Sequence, residues 1–319
     1  MPEFPLFRSR LRLDPRLYQI TTLSALLVYG ILALDFDFDP LQIVAIVGSA
    51  QACQFLCTRL CKLHRFDPLS ALISSLSLCL LLRVDHLSVA VLAALVSIAS
   101  KFVVRFRGKH VFNPTNFGIV ATMLLTGQVW VSPGQWGDVA TMGFAMACVG
   151  GLVVNRAARS DVTYAFLAFY LAILFGRAAW LGDPWTIPLH QLQNGAFLIF
   201  AFFMISDPKT TPDSRAGRIL FAFLVAAGGG FVQFVMFRNN GLLWSLALFA
   251  MTVPLIDRLL RGSRYRWNLA ARFAQADVEA VALAQARRAV PYSPIVDATR
   301  VTVPSVYYPI SILRKGVSS

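Results

Sequence analysis

The sequence predicts an all-α integral membrane protein with about ten transmembrane helices. Of the 319 residues, 57% are hydrophobic and 14% are charged, and the mean hydropathy is +0.63. A soluble domain has roughly 25% charged residues. Apolar stretches follow one another from Tyr18 to Leu260, and most approach the length of about 20 residues that crosses a bilayer as a helix. This composition excludes a soluble globular protein, and also a disordered chain or a disulfide scaffold.

The apolar stretches divide into ten predicted spans. They cover residues 18–34, 41–60, 69–82, 87–104, 112–131, 139–154, 162–180, 192–205, 219–237 and 242–260. Several are short or contain Pro and Gly, so one or two of them are candidates for re-entrant or broken helices. The chain then consists of a basic N-terminus (1–17), a membrane domain (18–260) and a tail (261–319).

Lys and Arg residues alternate between the two ends of these spans. Sixteen of the 29 lie on one side, which we call the basic side, three lie on the other side (Arg83, Arg177 and Arg238), and the remaining ten lie at the end of the tenth span or after it. Basic connections face the cytoplasm, so we expect both termini to be cytoplasmic. The net charge of +13 therefore reflects membrane orientation, and we expect no nucleic-acid partner. Because no small-residue cleavage site follows the basic N-terminus, we expect the first span to be retained.

The C-terminal tail has a different composition. Residues 268–290 are rich in Ala with interspersed charges, which predicts a cytoplasmic or interfacial amphipathic helix. Pro291, Pro294, Pro304 and Pro309 then favour an extended segment. Two interpretations stay open, a docking segment for other subunits and a disordered tail.

Residues that commonly carry redox or catalytic chemistry are scarce in the spans. None of the four His lies in the middle of a span, so paired haem ligands are not predicted. Cys53, Cys57 and Cys61 share one helical stripe, which suits either small buried hydrophobic residues or a metal site completed by a partner chain. We predict no catalytic residue, no metal site within this chain and no proton relay of carboxylates.

Two polar, turn-forming segments adjoin long apolar runs on the basic side. The first is Phe112 to Gly118, in which Asn113 and Pro114 suit the start of a helix. The second is Ser206 to Pro212, which precedes the ninth span. They are either ordinary helix caps and turns, or two capped helix ends that converge on an anionic or flavin-like ligand.

At these segments the chain resembles the NqrB/RnfD family, the membrane subunits of sodium-pumping NADH:quinone oxidoreductase and of the Rnf electron-transport complex. The resemblance is carried by residues 112–118 (FNPTNFG), 192–218 (LQNGAFLIFAFFMISDPKTTPDSRAGR) and 252–257 (TVPLID). It implies ten helices in two inverted five-helix halves, similar to the urea-transporter fold. It also implies a multi-pass protein of the bacterial cytoplasmic (inner) membrane that works with other subunits of a complex.

The resemblance further implies flavin. Family members carry FMN bonded to a Thr in a long outer insertion after the fifth span, and riboflavin held without a covalent bond. Here that connection is only residues 132–138, and Thr141 is the nearest remnant of the attachment segment, which argues against covalent FMN. For riboflavin or FMN held non-covalently, the positions that match are Asn113, Thr115, Asn116, Gly118, Asp207, Thr211 and Arg218.

Three functions are consistent with this resemblance. The first is an electron-transport subunit with non-covalent flavin, coupled to cation translocation through a backbone-lined path. The second is a small-solute transporter or channel on the same scaffold. The third is a membrane accessory protein of a biosynthetic gene cluster, without redox function. Bound flavin distinguishes the first from the other two, because fold alone does not determine function.

Overall fold

A computed structural model describes residues 14–34, 36, 39–63, 66–132, 136, 150–151 and 160–263. These residues lie in the first of two compact units, Met1–Arg266. The second unit, Trp267–Ser319, lies outside the described residues. The predicted tail helix and all but Gly150 and Gly151 of the sixth predicted span are likewise outside them.

Helices correspond to the other nine predicted spans. The first five are α1 (Pro15–Ala33), α2 (Pro40–Leu60), α3 (Pro68–Leu81), α4 (Leu87–Val103) and α5 (Pro114–Thr126). After the residues predicted to form the sixth span come α6 (Ser160–Leu181), α7 (Thr186–Leu192), α8 (Gly195–Ile199, continued as a π-helix over Phe200–Met204), α9 (Arg215–Phe234), α10 (Gly241–Ala250) and α11 (Val253–Leu259). Two-residue strands β1 (Arg83–Val84), β2 (Arg105–Phe106), β3 (Lys109–His110) and β4 (Val129–Trp130) lie in the connections.

The first three helices begin with the same dipeptide. Asp14, Asp39 and Asp67 are N-caps whose carboxylates accept backbone N–H bonds, and each is followed by Pro at the first helical position. Proline has no N–H to leave unpaired there, and its fixed φ suits the helix. Each Asp-Pro pair therefore determines where an apolar run becomes helical.

The helices differ in their capacity to cross a bilayer. Four of them, α1, α2, α6 and α9, are long and apolar enough, and α10 with α11 forms a fifth candidate that bends by 52°. Helices α3, α4 and α8 are apolar but shorter. Helix α5 has 13 residues, so it is about 20 Å long, against about 30 Å for the bilayer core. Among the described residues, four or five full spans are thus seen by length.

The four short strands form two antiparallel pairs. β1 pairs with β4, with Arg83 opposite Trp130. β2 and β3 form a hairpin in which Arg107 (φ 49°) and Gly108 (φ 80°) both have positive φ, as the tight turn favoured in two-residue hairpins requires. The first pairing joins two connections that the charge alternation places on the same side.

Small residues allow close helix packing in both parts of the bundle. Helix α4 packs on α2 and α5, and α9 packs on α6 and α10. A Cβ on Gly118 of α5 would lie 2.7 Å from Cβ of Ser97 and 2.8 Å from the carbonyl of Ala93. A Cβ on Gly241 of α10 would lie 2.6 Å from the carbonyl of Gly229. Small residues at membrane helix interfaces permit such close backbone approach.

The outer surface of the helices is strongly apolar. In each of the four long helices, only 22% to 39% of the most apolar 18-residue stretch is buried. Trp180, Phe237 and Val103 are large apolar residues that are each at least 80% exposed. A soluble monomer rarely exposes continuous apolar area of this extent. The surface is therefore suited to contact with lipid.

Candidate functional site

The N-terminus of α5 is organised by Asn113. Its side-chain Oδ1 accepts a hydrogen bond from the backbone N–H of Asn116 at 3.0 Å, and Pro114 occupies the first helical position. Asn113 and Asn116 are both buried. The Asn-Pro sequence thus starts a helix inside the protein. The backbone N–H groups of its first turn, which have no partner within the helix, therefore face other elements rather than water.

The same asparagine connects α5 to the segment that follows α8. Its Nδ2 donates to the carbonyl of Met204 at 3.3 Å and to Oδ2 of Asp207 at 3.4 Å. Asp207 in turn accepts the backbone N–H of Lys209 on Oδ1 at 3.0 Å, and its carbonyl accepts the N–H of Thr211 at 3.1 Å. We call the set formed by Asn113, Asn116, Asp207 and Thr211 the Asn–Asp junction.

Two side chains of the junction are buried without partners. Asn116 is 1% exposed, and neither its Nδ2 nor its Oδ1 has a hydrogen-bond partner among the described residues. Thr211 is fully buried, and its Oγ1 is also unpartnered. A buried polar group without a partner costs about 1–3 kcal/mol. These atoms are therefore the part of the junction that is chemically suited to a ligand.

Two other predicted residues serve helix packing. Thr115 donates from Oγ1 to the carbonyl of Ser74 in α3 at 3.3 Å. Gly118 lies where any side chain would meet Ser97 and Ala93 of α4. Both residues lie next to the junction, and both hold α5 against its neighbours.

Arg218 is engaged elsewhere. Its Nε lies 2.8 Å and its Nη2 2.6 Å from Oδ2 of Asp161 at the start of α6, and its Nη1 donates to the carbonyl of Asp213 at 2.8 Å. A guanidinium with two bonds to one carboxylate forms a strong, directional pair. The structure thus groups six of the seven predicted residues around α5 and the segment after α8. The seventh, Arg218, contacts the end of that segment through the carbonyl of Asp213. Thr141 lies outside the described residues.

A partly buried ion-pair cluster lies on the same side. Nζ of Lys109 lies 3.0 Å from Oδ1 of Asp213 and 2.9 Å from Oδ2 of Asp257, and all three side chains are at most 19% exposed. Oδ1 of Asp257 also accepts the N–H of Asp213 at 2.7 Å. The cluster ties the β2–β3 hairpin to the segment before α9 and to α11.

Lys101, in the last turn of α4, lies near the junction. It is 3% exposed, and its Nζ donates to Oγ of Ser70 at 3.2 Å. Asp67 and Asp207 are within electrostatic range. The sequence shows that Lys101 is the one Lys or Arg residue between Leu87 and Val104. It does not show which side of the helix the Lys101 side chain faces.

His110 in β3 is neutral in this environment. Burial, followed by the charges of Lys209, Arg105 and Lys101, lowers its pKa to about 3. Its Nδ1 is buried and has no hydrogen-bond partner in the described part of the chain. The positive charges that surround the hairpin therefore disfavour adding another proton there.

The cysteine stripe is only partly buried. Sγ of Cys53 and Cys57 are 3.9 Å apart, while Cys61 is exposed. The interpretation of all three as buried hydrophobic residues is thus wrong for Cys61. In the part of the chain that the structure describes, no three His, Cys, Asp or Glu side chains are grouped to hold a metal ion.

A cleft of about 570 Å³ opens at the ends of the helices opposite the junction. Within it, the Tyr170 hydroxyl donates to Oε1 of Gln233 at 2.7 Å, and Nε2 of Gln233 donates to Oε1 of Gln191 at 3.4 Å. The rings of Tyr170 and Phe197 lie nearly parallel, with centroids 5.6 Å apart. The cleft therefore combines aromatic walls with a polar chain.

These features define a helical multi-pass membrane protein with a buried polar junction between α5 and the segment after α8. Residues 125–266 match the NQR2, RnfD, RnfE family. Over that region the chain is similar to RnfD- and NqrB-like proteins.

Curated relatives agree with the family match. The chain is similar to the D subunit of the ion-translocating oxidoreductase complex of Citrobacter koseri, with 28% identity over 144 residues, 44% of this chain and 38% of the relative. It is 30% identical to the protein of the same name in Erwinia tasmaniensis over 146 residues, 45% of this chain and 37% of the relative. For Salmonella paratyphi B the identity is 30% over 145 residues. The aligned part thus spans less than half the length of these relatives.

Proposed function

We propose that this protein is an RnfD-like subunit of a membrane electron-transport complex and holds riboflavin or FMN without a covalent bond at the Asn–Asp junction. It would work in the bacterial cytoplasmic membrane with both termini in the cytoplasm, and other subunits would dock on that side, with the tail as one contact. The relatives, each named as the D subunit of an ion-translocating oxidoreductase complex, support the class of complex. The unpartnered amide of Asn116 is the observation that supports the site.

The residues present fit an isoalloxazine ring in their hydrogen-bonding chemistry. The polar edge of that ring carries an N–H between two carbonyls, and the Asn116 amide offers one acceptor and two donors. Thr211 adds a hydroxyl, while Asn113 and Asp207 position the backbone on which these groups stand. When bound, the flavin would supply the redox chemistry, and the protein would orient it and exclude competing reactions.

Access to this site requires a movement. The four junction residues line none of the four clefts described in this structure. The bonds from Asn113 to Met204 and Asp207 measure 3.3 Å and 3.4 Å, toward the long end of the normal range. We propose that the segment after α8 separates from α5 at these bonds when the flavin enters.

The packing also supports two inverted halves of five spans each. In the first half the second span packs on the fourth (α2 on α4) and the fourth on the fifth (α4 on α5). In the second half the same positions are α6 on α9 and α9 on α10. The fifth and tenth spans each begin after an Asn N-cap, Asn113 and Asn240, and their helices α5 and α10 contact each other.

Cation translocation, the remaining part of the proposal, would use a path lined by backbone and neutral groups. Within the described helices the carboxylates are Asp161 and Asp257, and both are ion-paired near helix ends. A chain of titrating carboxylates therefore has no counterpart in the described spans. Rearrangement between the two halves is the movement that would open the path.

The variant Asn116→Leu tests the flavin site. We expect flavin in the purified protein to fall at least fivefold, while the apo-protein keeps or raises its Tm because an unpaired buried amide has been replaced by an apolar group of similar size. The matched control is Thr122→Val. It removes a hydroxyl that is also buried and without a partner among the described residues, farther along α5. Equal flavin content in wild type and both variants would contradict the proposed site.

A small-solute pathway is the second candidate function. The observation that favours it is the open cleft with the Tyr170, Gln233 and Gln191 chain, which contrasts with the closed junction. Uptake of a labelled solute by sealed vesicles containing the flavin-free protein would support this alternative. It would also distinguish a transporter from an accessory protein without transport activity.

A further inference from the structure

The β2–β3 hairpin separates two clefts on the basic side. The larger, of about 570 Å³, is lined by Arg107, Arg258 and Arg261, together with the apolar residues Phe106 and Val253. The smaller, of about 150 Å³, is lined by Arg105, Arg107 and Lys209. Lys109, His110 and Asp213 line both. The two clefts are thus parts of one surface, which we call the hairpin cleft.

The positive charge of the hairpin cleft is not compensated within the described part of the chain. Lys109 is already bridged by Asp213 and Asp257. The other five cations of the cleft form no ion pair with a described residue; they are Arg105, Arg107, Lys209, Arg258 and Arg261. Because the bridged cluster itself carries one excess negative charge, the net charge is about +4, which is a strong local field for an anion.

Exposed apolar side chains lie close in sequence to these cations. Leu255 and Leu259 are 57% and 71% exposed on one face of α11, and Val103 at the end of α4 is 80% exposed. Arg258 lies between the two leucines in sequence, and Phe106 lines the cleft itself. A ligand that satisfies this surface needs a negative head beside the guanidinium groups and an apolar part beside α4 and α11.

We propose that the hairpin cleft binds a phosphate group, supplied by the headgroup of an anionic phospholipid. Arginine guanidinium groups form paired hydrogen bonds with phosphate oxygens. Basic pockets between transmembrane helices at the cytoplasmic boundary are suited to anionic headgroups. The exposed residues Leu255, Leu259 and Val103 would contact the acyl chains. This site is separate from the Asn–Asp junction and does not depend on the proposed flavin.

The test uses the full-length protein in an uncharged detergent, titrated with dioctanoyl phosphatidylglycerol while its Tm is followed. We expect saturable stabilisation by this lipid and at least tenfold weaker binding of dioctanoyl phosphatidylcholine. The double variant R107Q/R258Q is expected to weaken phosphatidylglycerol binding at least tenfold. The matched control R59Q/R215Q removes two exposed arginines from the same side outside the cleft and is expected to change binding less than twofold.

Binding of inorganic phosphate distinguishes a lipid headgroup from a soluble phosphate compound as the source of the bound phosphate group. Binding at least a hundredfold weaker than that of phosphatidylglycerol supports the lipid, whereas equally tight phosphate binding overturns it in favour of a soluble phosphate ligand. The single variant R261Q, at an exposed position after α11, provides a second test if the double variant does not fold, with an expected threefold loss. Equal effects of cleft and control variants, or no saturable lipid binding, would overturn the proposal and favour an acidic protein surface as the occupant.

Discussion

Single buried polar side chains connect separate segments at the Asn–Asp junction. Asn113 shows how one residue can organise a junction, because its Oδ1 caps α5 while its Nδ2 reaches Met204 and Asp207. Asn116, one turn further, keeps its amide unpaired in a buried position. Such a group reduces stability unless a ligand or a movement satisfies it.

Lys109 is expected to contribute strongly to the stability of the folded protein. Lys109→Met would leave Asp213 and Asp257 close together without their shared cation, so we expect the free energy of unfolding to fall by about 3–5 kcal/mol. Thermal or denaturant unfolding in detergent measures the change. Lys62→Met, at an exposed position on the same side, is the control and should change stability by no more than about 0.5 kcal/mol. Similar effects of the two variants would refute the role of the cluster.

The lowered pKa of His110 predicts how the stability of the protein depends on pH. Its pKa is lowered to about 3 by burial and by neighbouring cations, whereas histidine in an unfolded chain titrates near pH 6.5. Between these values the unfolded chain binds a proton that the folded protein does not. Stability is therefore full above about pH 6.5 and falls on acidification, by up to about 1.4 kcal/mol for each pH unit.

The variant His110→Gln should remove that part of the acid sensitivity. We expect a shallower dependence of Tm on pH between about 6 and 4 than in the wild type. His86→Gln, which changes an exposed histidine, should leave the dependence as it is. An unchanged slope in His110→Gln would show that other groups cause the acid response.

At the scale of helices, close contact between α4 and α5 depends on Gly118. A Cβ there would be 2.7 Å from Cβ of Ser97, whereas a Cβ on Gly48 in α2 would meet nothing within 4 Å. Gly118→Ala should therefore destabilise by about 1–3 kcal/mol, and Gly48→Ala should stabilise by about 0.5–1 kcal/mol. Unfolding measurements on the two variants test the opposite signs. Stabilisation by both would contradict the packing described for α5.

Much of the helix pattern could be predicted from sequence, because composition and caps are local signals. The Asp-Pro and Asn-Pro pairs begin helices α1, α2, α3 and α5 within a few residues of the predicted starts. The lengths of α5 and α8 were less predictable. The apolar run 112–131 contains a helix that ends at Thr126 and then strand β4, because Gly127 adopts positive φ and stops the helix.

The candidate site was predictable as a pair of segments, but its bonding was not. Sequence placed Asn113 and Asp207 on the same side, and the structure connects them directly. It gave no means to see that Arg218 pairs with Asp161, or that Lys101 is buried against Ser70. Both outcomes depend on which face of a helix meets its neighbour, which short sequence patterns leave open.

At the scale of the whole molecule, contacts between connections agree with the predicted alternation. Arg16 pairs with Asp67, Lys109 with Asp213, and Arg218 with Asp161. Each pair joins segments at the basic ends of different spans. β1 and β4 pair at the opposite ends. A miscounted span would place such partners on opposite sides of the membrane.

The central claim is that this protein holds a flavin without a covalent bond. The most direct test is acid precipitation of the detergent-purified protein, prepared with riboflavin and FMN present through solubilisation and then washed, followed by a flavin assay on both fractions. We predict stoichiometric flavin in the supernatant and none in the pellet. Flavin in the pellet would indicate covalent attachment, with Thr141 the first residue to substitute. Absence of flavin from both fractions would contradict the electron-transfer function.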